Sequence, residues 1–540
     1  MKTIGIVATP ISSGLRRLLD ALGKVMEVRF EERVFGDTAG IDAWILLDSD
    51  SQVLYSLTHS NRPCYIVICR EQLVPCGKSS TINFSKHQSL PFVIRGRQID
   101  IDEVTELNAL PLWLRNATPI ASKEGGPIWA IIEGGEYNHY FVGLPIPELE
   151  DSEPLFLYFF GNKFLHLLPL LLFLRTLIQD HRWEPPPLQA SFIFDDPNLH
   201  WRTYGHINFE EMIRHAQHHN YHASIATIPL DAWFTHMPTA SLFKQHPDRI
   251  SLLIHGNNHV AGELARVCSD TECDGTLRQT LIRVKELERR SGVEISKVMA
   301  APHGALSEQF LQRMGQMGFE AACISRWSLR HYNKQATWLS TIGMKPSDII
   351  AEMPVFPRFR MSSTCQNSIL VAALLHQPII PIGHHNDIAE GLHLLANLSG
   401  YINSLGTVRW ISMKGMSRSQ FSRKIDGGIL RIRMFTKRIE ICVPEEIQQI
   451  FVERLRPEGA EYKPLLWRAL GEKMEWNLLG LEESIPAFSG QKIEIMSPFT
   501  TSLHMDARTS KKLQLWPIVR RQLTEARDRI SPFLKRFSML

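Results

Sequence analysis

The 540-residue chain has almost no charge bias: 59 Lys and Arg stand against 56 Asp and Glu, a net charge of +3. Without a whole-chain positive field, nucleic acid is not an expected partner. Its eight cysteines, at positions 64, 69, 76, 268, 273, 323, 365 and 442, form no CxxC pair. That argues against a zinc ribbon or disulfide scaffold and suits a reducing compartment. No uninterrupted apolar run reaches the ~20 residues of a membrane span. The stretch from Leu155 to Ile178 comes nearest, but Asn162, Lys163, His166, Pro169 and Arg175 break it, so it reads as a buried helix. The opening MKTIGIVATPISSGLRR has too short an apolar run for a signal peptide and reads as a first strand, so a cytoplasmic location is expected. There is no GxGxxG and no Walker lysine to mark a nucleotide site. Near-background Gly and Pro, 33 and 31 residues, exclude collagen-like and low-complexity classes.

What remains is an ordinary globular composition, 44% hydrophobic and 21% charged, long enough for about three domains. Through residue 183, short apolar strands alternate with helical patterns: Thr3 to Ala8, Ser12 to Met26, Ala43 to Leu47, a helix after Asp50, then Cys64 to Cys69. The alternation predicts an α/β domain with a parallel sheet. Trp183-Glu184-Pro185-Pro186-Pro187 cannot continue a helix and marks a boundary. From 188 to 424 the alternation is more regular, a βα barrel pattern, with a long helix expected from Thr276 to Ser291. Residues 425–510 turn to period-two alternation, which predicts a small β-rich domain. Residues 511–540 predict a basic amphipathic helix; from Asp506 onward nine Lys and Arg face three Asp and Glu. Val519, Leu523, Ala526, Ile530 and Phe533 form its apolar stripe. Such a helix either docks by that stripe or makes peripheral membrane contact.

Barrel proteins carry their chemistry at the carboxyl ends of the strands. Here those ends supply Asp195 and Asp196 after Ser-Phe-Ile-Phe, His255 and His259 after Ile-Ser-Leu-Leu-Ile, Pro302-His303-Gly304, and His384-His385 after Ile-Ile-Pro-Ile-Gly. Adjacent carboxylates closing a buried strand need a cation or strong donors to face them, and a divalent metal would serve. Two histidines four apart with one carboxylate suit a divalent metal that keeps open positions, such as Zn²⁺ or Co²⁺. Ten of the 22 histidines fall between residues 191 and 260, so most of them serve the surface or the packing.

In this order the motifs resemble those of the NodB-homology polysaccharide deacetylases, carbohydrate esterase family four, over about residues 190 to 420. The resemblance implies a distorted, incomplete (β/α) barrel. It implies Asp195 as catalytic base, Asp196, His255 and His259 as metal ligands, and His384 as general acid. It further implies a carbohydrate substrate that loses an N-acetyl group to metal-activated water. The chain departs from the family at its third motif, where Ala300 stands in place of the arginine that pairs with the base and His303 in place of an aromatic. His303 is then a candidate donor to Asp195 or to the developing oxyanion, and otherwise a wall of the site. Asp387 and Glu352 are candidates to orient His384. Two other readings stand beside the hydrolase: a decayed carbohydrate- or metal-binding protein, motivated by the missing arginine, and a glycosidase, which the adjacency of Asp195 and Asp196 disfavours.

Overall fold

The structure, a computed structural model, describes the chain apart from residues 8–10, 54–56, 58–59, 77–80, 102–106, 135–136, 179–182, 455–463, 472–474, 499–514 and 539–540. Two compact units form. One comprises Met1–Arg182 with Thr337–Lys345 and Gln366–Leu375, the other Trp183–Ala336, Pro346–Cys365 and His376–Leu540.

The first unit is built on a nine-stranded sheet in the order Val28–Glu32, Lys2–Val7, Ala43–Ser49, Cys64–Ile68, Tyr137–Val142, Gly126–Gly134, Thr118–Lys123, Thr81–Phe84, Gln98–Asp100. Neighbours are parallel as far as Tyr137–Val142 and antiparallel beyond. The expected parallel sheet thus extends only as far as Tyr137–Val142. Gly126–Gly134 and Tyr137–Val142 are too close in sequence for the dozen-residue crossover that a parallel pair requires. The Ser12 hydroxyl accepts the Leu15 N–H and caps the helix Ser13–Met26. Phe164–Leu177 is apolar on every side and buried from Leu167 through Leu174, as a core helix should be. Among the described residues no helix is long and apolar enough to cross a membrane. The helix expected after Asp50 lies largely outside them.

In the second unit a sheet runs Asp348–Ile350, Met353–Pro357, Ala321–Ile324, Ile295–Ala300, Ile250–His255, Ala223–Thr227, Phe192–Asp195, Pro381–Gly383, Phe359–Arg360. All neighbours are parallel except the Asp348–Ile350 hairpin arm. Met353–Pro357 and Phe359–Arg360, near the two ends of this order, are one continuous stretch of chain. The Arg358 N–H bonds to the Ile324 carbonyl on one side, and the Phe359 N–H to the Ile380 carbonyl on the other. The sheet is therefore closed through Arg358.

Side chains alternate across a strand, so residues two apart share a face. Ile193, Leu253, Val298, Phe356 and Ile380 pack in one cluster, with Ile382 against it. Two residues beyond Ile193, Leu253, Val298, Phe356 and Ile382, the same faces carry Asp195, His255, Ala300, Arg358 and His384. The polar centre thus stands one step above an apolar floor whose fully buried side chains each contribute about 1.5–3 kcal/mol. The opposite faces, such as Phe192 and Phe194, are buried on the outer side of the strand.

The long helix of the barrel begins at Asp270, not Thr276. The Ser269 hydroxyl and the Glu272 carboxylate form a capping box, and Gly275 and Thr276 lie inside the helix. Residues 421–496 make two four-stranded sheets around a shared core that includes Ile432, Ile439, Ile450, Ile493 and Ile495. The terminal helix, Leu515–Ser538, is docked, but by the face opposite the expected one. Val519, Leu523 and Ile530 are 48%, 64% and 51% exposed, whereas Arg521, Glu525 and Asp528 are buried. Ion pairs to the barrel compensate the burial of this charged face. The side chain of Phe533 and the basic segment 506–514 lie outside the described residues.

Candidate functional site

Asp195 ends the first barrel strand and is almost fully buried. One Arg358 nitrogen donates to both its oxygens, at 3.0 and 3.1 Å, while the other holds the Ala301 carbonyl at 2.9 Å. Burial alone would raise the carboxyl pKa, but the guanidinium, with His255 and His384, outweighs it and keeps the pKa below its usual value. Asp195 is thereby held as an oriented carboxylate. Sequence reasoning missed Arg358, which supplies from a later strand the cation that Ala300 lacks.

The next residue, Asp196, turns the other way. Its backbone is left-handed, at φ 88°, a region that costs a non-glycine residue on the order of 1–3 kcal/mol and persists only where its surroundings enforce it. Asp196 Oδ1 lies 3.0 Å from His259 Nε2 and 3.5 Å from His255 Nε2. Zinc bonds of about 2.0–2.1 Å in a tetrahedron would set such donors roughly 3.3 Å apart. Oδ1 is buried yet makes no well-aligned hydrogen bond. Three potential ligand atoms thus converge, an arrangement that a metal ion would satisfy. The Asp196 pKa is held well below its ordinary value, because the two imidazoles outweigh the cost of burial.

Local structure fixes each imidazole. His255 closes its strand, and its Nδ1 lies 2.9 Å from the Ala300 carbonyl. A carbonyl only accepts, so Nδ1 carries the proton and Nε2 keeps its lone pair for a metal. Burial would lower the His255 pKa, but Asp195 and Asp196 outweigh it and raise it. The same negative field favours a divalent cation. The 256–259 loop is cradled by Glu263, whose carboxylate accepts the N–H groups of Asn257, Asn258 and His259 at 2.8–3.0 Å. Gly256, at φ 65°, allows this closeness: a Cβ there would meet Glu263 Oε1 at 2.2 Å.

His303 lies beside His259, with ring centroids 4.8 Å apart, and makes no hydrogen bond to Asp195; Arg358 holds that position. Burial and the neighbouring imidazoles lower the His303 pKa and favour its neutral form. His384 stands across the centre, half-exposed, with Nε2 4.0 Å from Asp196 Oδ2. Asp387 accepts the His384 N–H at 2.8 Å and places its carboxylate 4.0 Å from Nδ1. Glu352 precedes Met353–Pro357, at the other end of that strand from Arg358. His385 points away and is buried, its Nε2 3.6 Å from Asp528.

No family model matches the sequence, and no curated protein matches it. Solved structures do. A family 4 carbohydrate esterase from Streptomyces lividans, in complex with acetate, is 12% identical at a TM-score of 0.24, covering 41% of this chain and 88% of that one. A Streptococcus mutans CE4 esterase is 12% identical at a TM-score of 0.26, over 42% and 86%. T48 deacetylase, solved with substrate, is 11% identical at a TM-score of 0.25, over 43% and 90%. At such scores the functional reading rests on the geometry of the site itself.

Proposed function

We propose that the chain is a metal-dependent hydrolase that removes an N-acetyl group from a sugar or polysaccharide. The observation that carries this reading is one juxtaposition. A buried carboxylate ionised by Arg358 adjoins a three-donor centre of Asp196, His255 and His259, and a half-exposed imidazole faces it. When bound by those three residues, a divalent ion supplies Lewis acidity, polarising an acyl oxygen and making water a better nucleophile at neutral pH. Asp195 takes the proton of the attacking water, because Arg358 keeps it ionised and fixed. His384, in its protonated form, gives a proton to the leaving amine nitrogen, and Asp387 holds its backbone in place.

The reading as a decayed binding protein was motivated by the missing arginine. Arg358 removes that motive. The test is acetate release from an N-acetylated chitooligosaccharide by zinc-loaded protein. Release is expected, and metal binding without release would favour the binding protein. In the same assay His384→Ala should lower the rate by roughly 10²–10⁴-fold, the usual contribution of a positioned acid, with thermal stability unchanged. His385→Ala should instead lower stability, since it leaves Asp528 short of a partner. Equal rates for the parent and His384→Ala would remove His384 from the reaction.

A further inference from the structure

Two consecutive arginines on the terminal helix reach two residues of the metal centre. Arg521 Nη2 donates to the main-chain carbonyl of Asp196 at 2.9 Å, across 325 residues of sequence. Arg520 donates to the main-chain carbonyl of His259, across 261 residues. Neighbouring helical positions point about 100° apart, so the pair straddles the gap between the two loops. Both carbonyls belong to ligands in left-handed backbone, Asp196 at φ 88° and His259 at φ 57°. Each of these conformations needs outside support.

The helix has other anchors besides these bonds. Arg521 pairs with Asp231 at 2.6–3.1 Å, Glu525 lies 3.2 Å from His200, and Asp528 accepts the Tyr204 hydroxyl at 3.0 Å. The bonds to two ligand carbonyls are additional, and both fall on the metal centre.

We propose that the carboxy-terminal helix forms the outer shell of the Asp196–His255–His259 centre, with Arg520 and Arg521 as positioning residues that hold two of its ligands in place. This rests on the reading of those three residues as metal ligands. It makes metal affinity depend on residues far outside the barrel segment. Arg521 Nη2 donates to both Asp231 and the Asp196 carbonyl, and Nε fixes the guanidinium on Asp231. Lysine keeps the charge but lacks the Nε donor that fixes this orientation on Asp231.

The test is a titration of metal-free full-length protein with Co²⁺ against a competing chelator. It follows the visible absorption of the bound ion, and the thermal stability of each metal-free protein is measured alongside. Arg520→Met and Arg521→Met should each weaken Co²⁺ binding about 10–100-fold, as loss of outer-shell partners does, and should alter the absorption envelope. Arg521→Lys should fall between Arg521→Met and the parent. Leu523→Ala, on the exposed face of the same helix, should match the parent in affinity and spectrum. If Arg521→Met loosens the helix, Arg520→Met still decides, because its bond is to His259 and the anchoring pairs remain. Arg520→Met with the parent's affinity and spectrum overturns the inference and leaves the metal site standing. A parent protein that binds no Co²⁺ overturns both.

Discussion

Asp195→Asn is expected to lower turnover by roughly 10²–10⁴-fold, the contribution of a positioned base, while the protein keeps its metal. Asparagine matches aspartate in shape and still offers Arg358 a carbonyl acceptor, but it cannot take a proton from water. Asp195 itself is not among the converging donors; those are Asp196 Oδ1 and the two imidazole Nε2 atoms. Rate and metal content should therefore separate. Steady-state acetate release and metal analysis on the same preparation read both quantities. Parallel loss of metal and activity would mean that Asp195 holds the ion, and undiminished activity would mean that it is not the base.

Arg358→Met should also have a large effect, and it acts through Asp195. The guanidinium is the main group countering the burial of that carboxylate, and breaking a buried pair costs about 3–5 kcal/mol. Part of the loss is relieved if Asp195 takes up a proton. Its pKa rises, so more of the base is protonated at any given pH, and the acidic limb of kcat/KM moves to higher pH. Methionine fills the space without charge, so the shift reads the charge and not a cavity. Arg358→Lys, which keeps the charge but not the fork, should shift the limb less. An Arg358→Met profile that overlays the parent's would show that Asp195 does not depend on this pair.

Much of the centre was legible because strand-end placement is a local signal. Phe192–Asp195 and Ile250–His255 are short apolar runs whose last residues change chemistry abruptly, and alternation puts Asp195 and His255 on the face of Ile193 and Leu253. Arg358 follows Phe356 by the same rule. It was missed because Pro354 and Pro357 interrupt the apolar run Met353–Pro357; proline is ordinarily confined to edge strands, whereas this strand is paired on both sides. The antiparallel half of the first sheet was hidden for another reason. Strand-length apolar runs look alike in either orientation, and only the short connection between Gly134 and Tyr137 marks the hairpin.

The terminal helix is the instructive case. Its periodicity marks the helix but not the buried face, because an apolar stripe at helical spacing points to docking by that stripe. Here the partners of the charged face, His200, Tyr204, Asp231 and His385, come from the segments that follow the barrel strands and are themselves buried. Complementary charges more than 100 residues apart leave no pattern in a window of eighteen. What the sequence did hold was an excess of polar residues, Asn198 and His200, crowded into the turn after Asp196. Both bond to Glu525.

Whether Asp196, His255 and His259 together hold one divalent ion is tested most directly by metal content. Protein is stripped with a chelator, reloaded with Zn²⁺, desalted and analysed for zinc per chain, beside His259→Ala treated identically. The parent should retain about one zinc per chain, as a single three-ligand site implies, and the variant far less. Equal zinc in both, or none in the parent, would contradict the site.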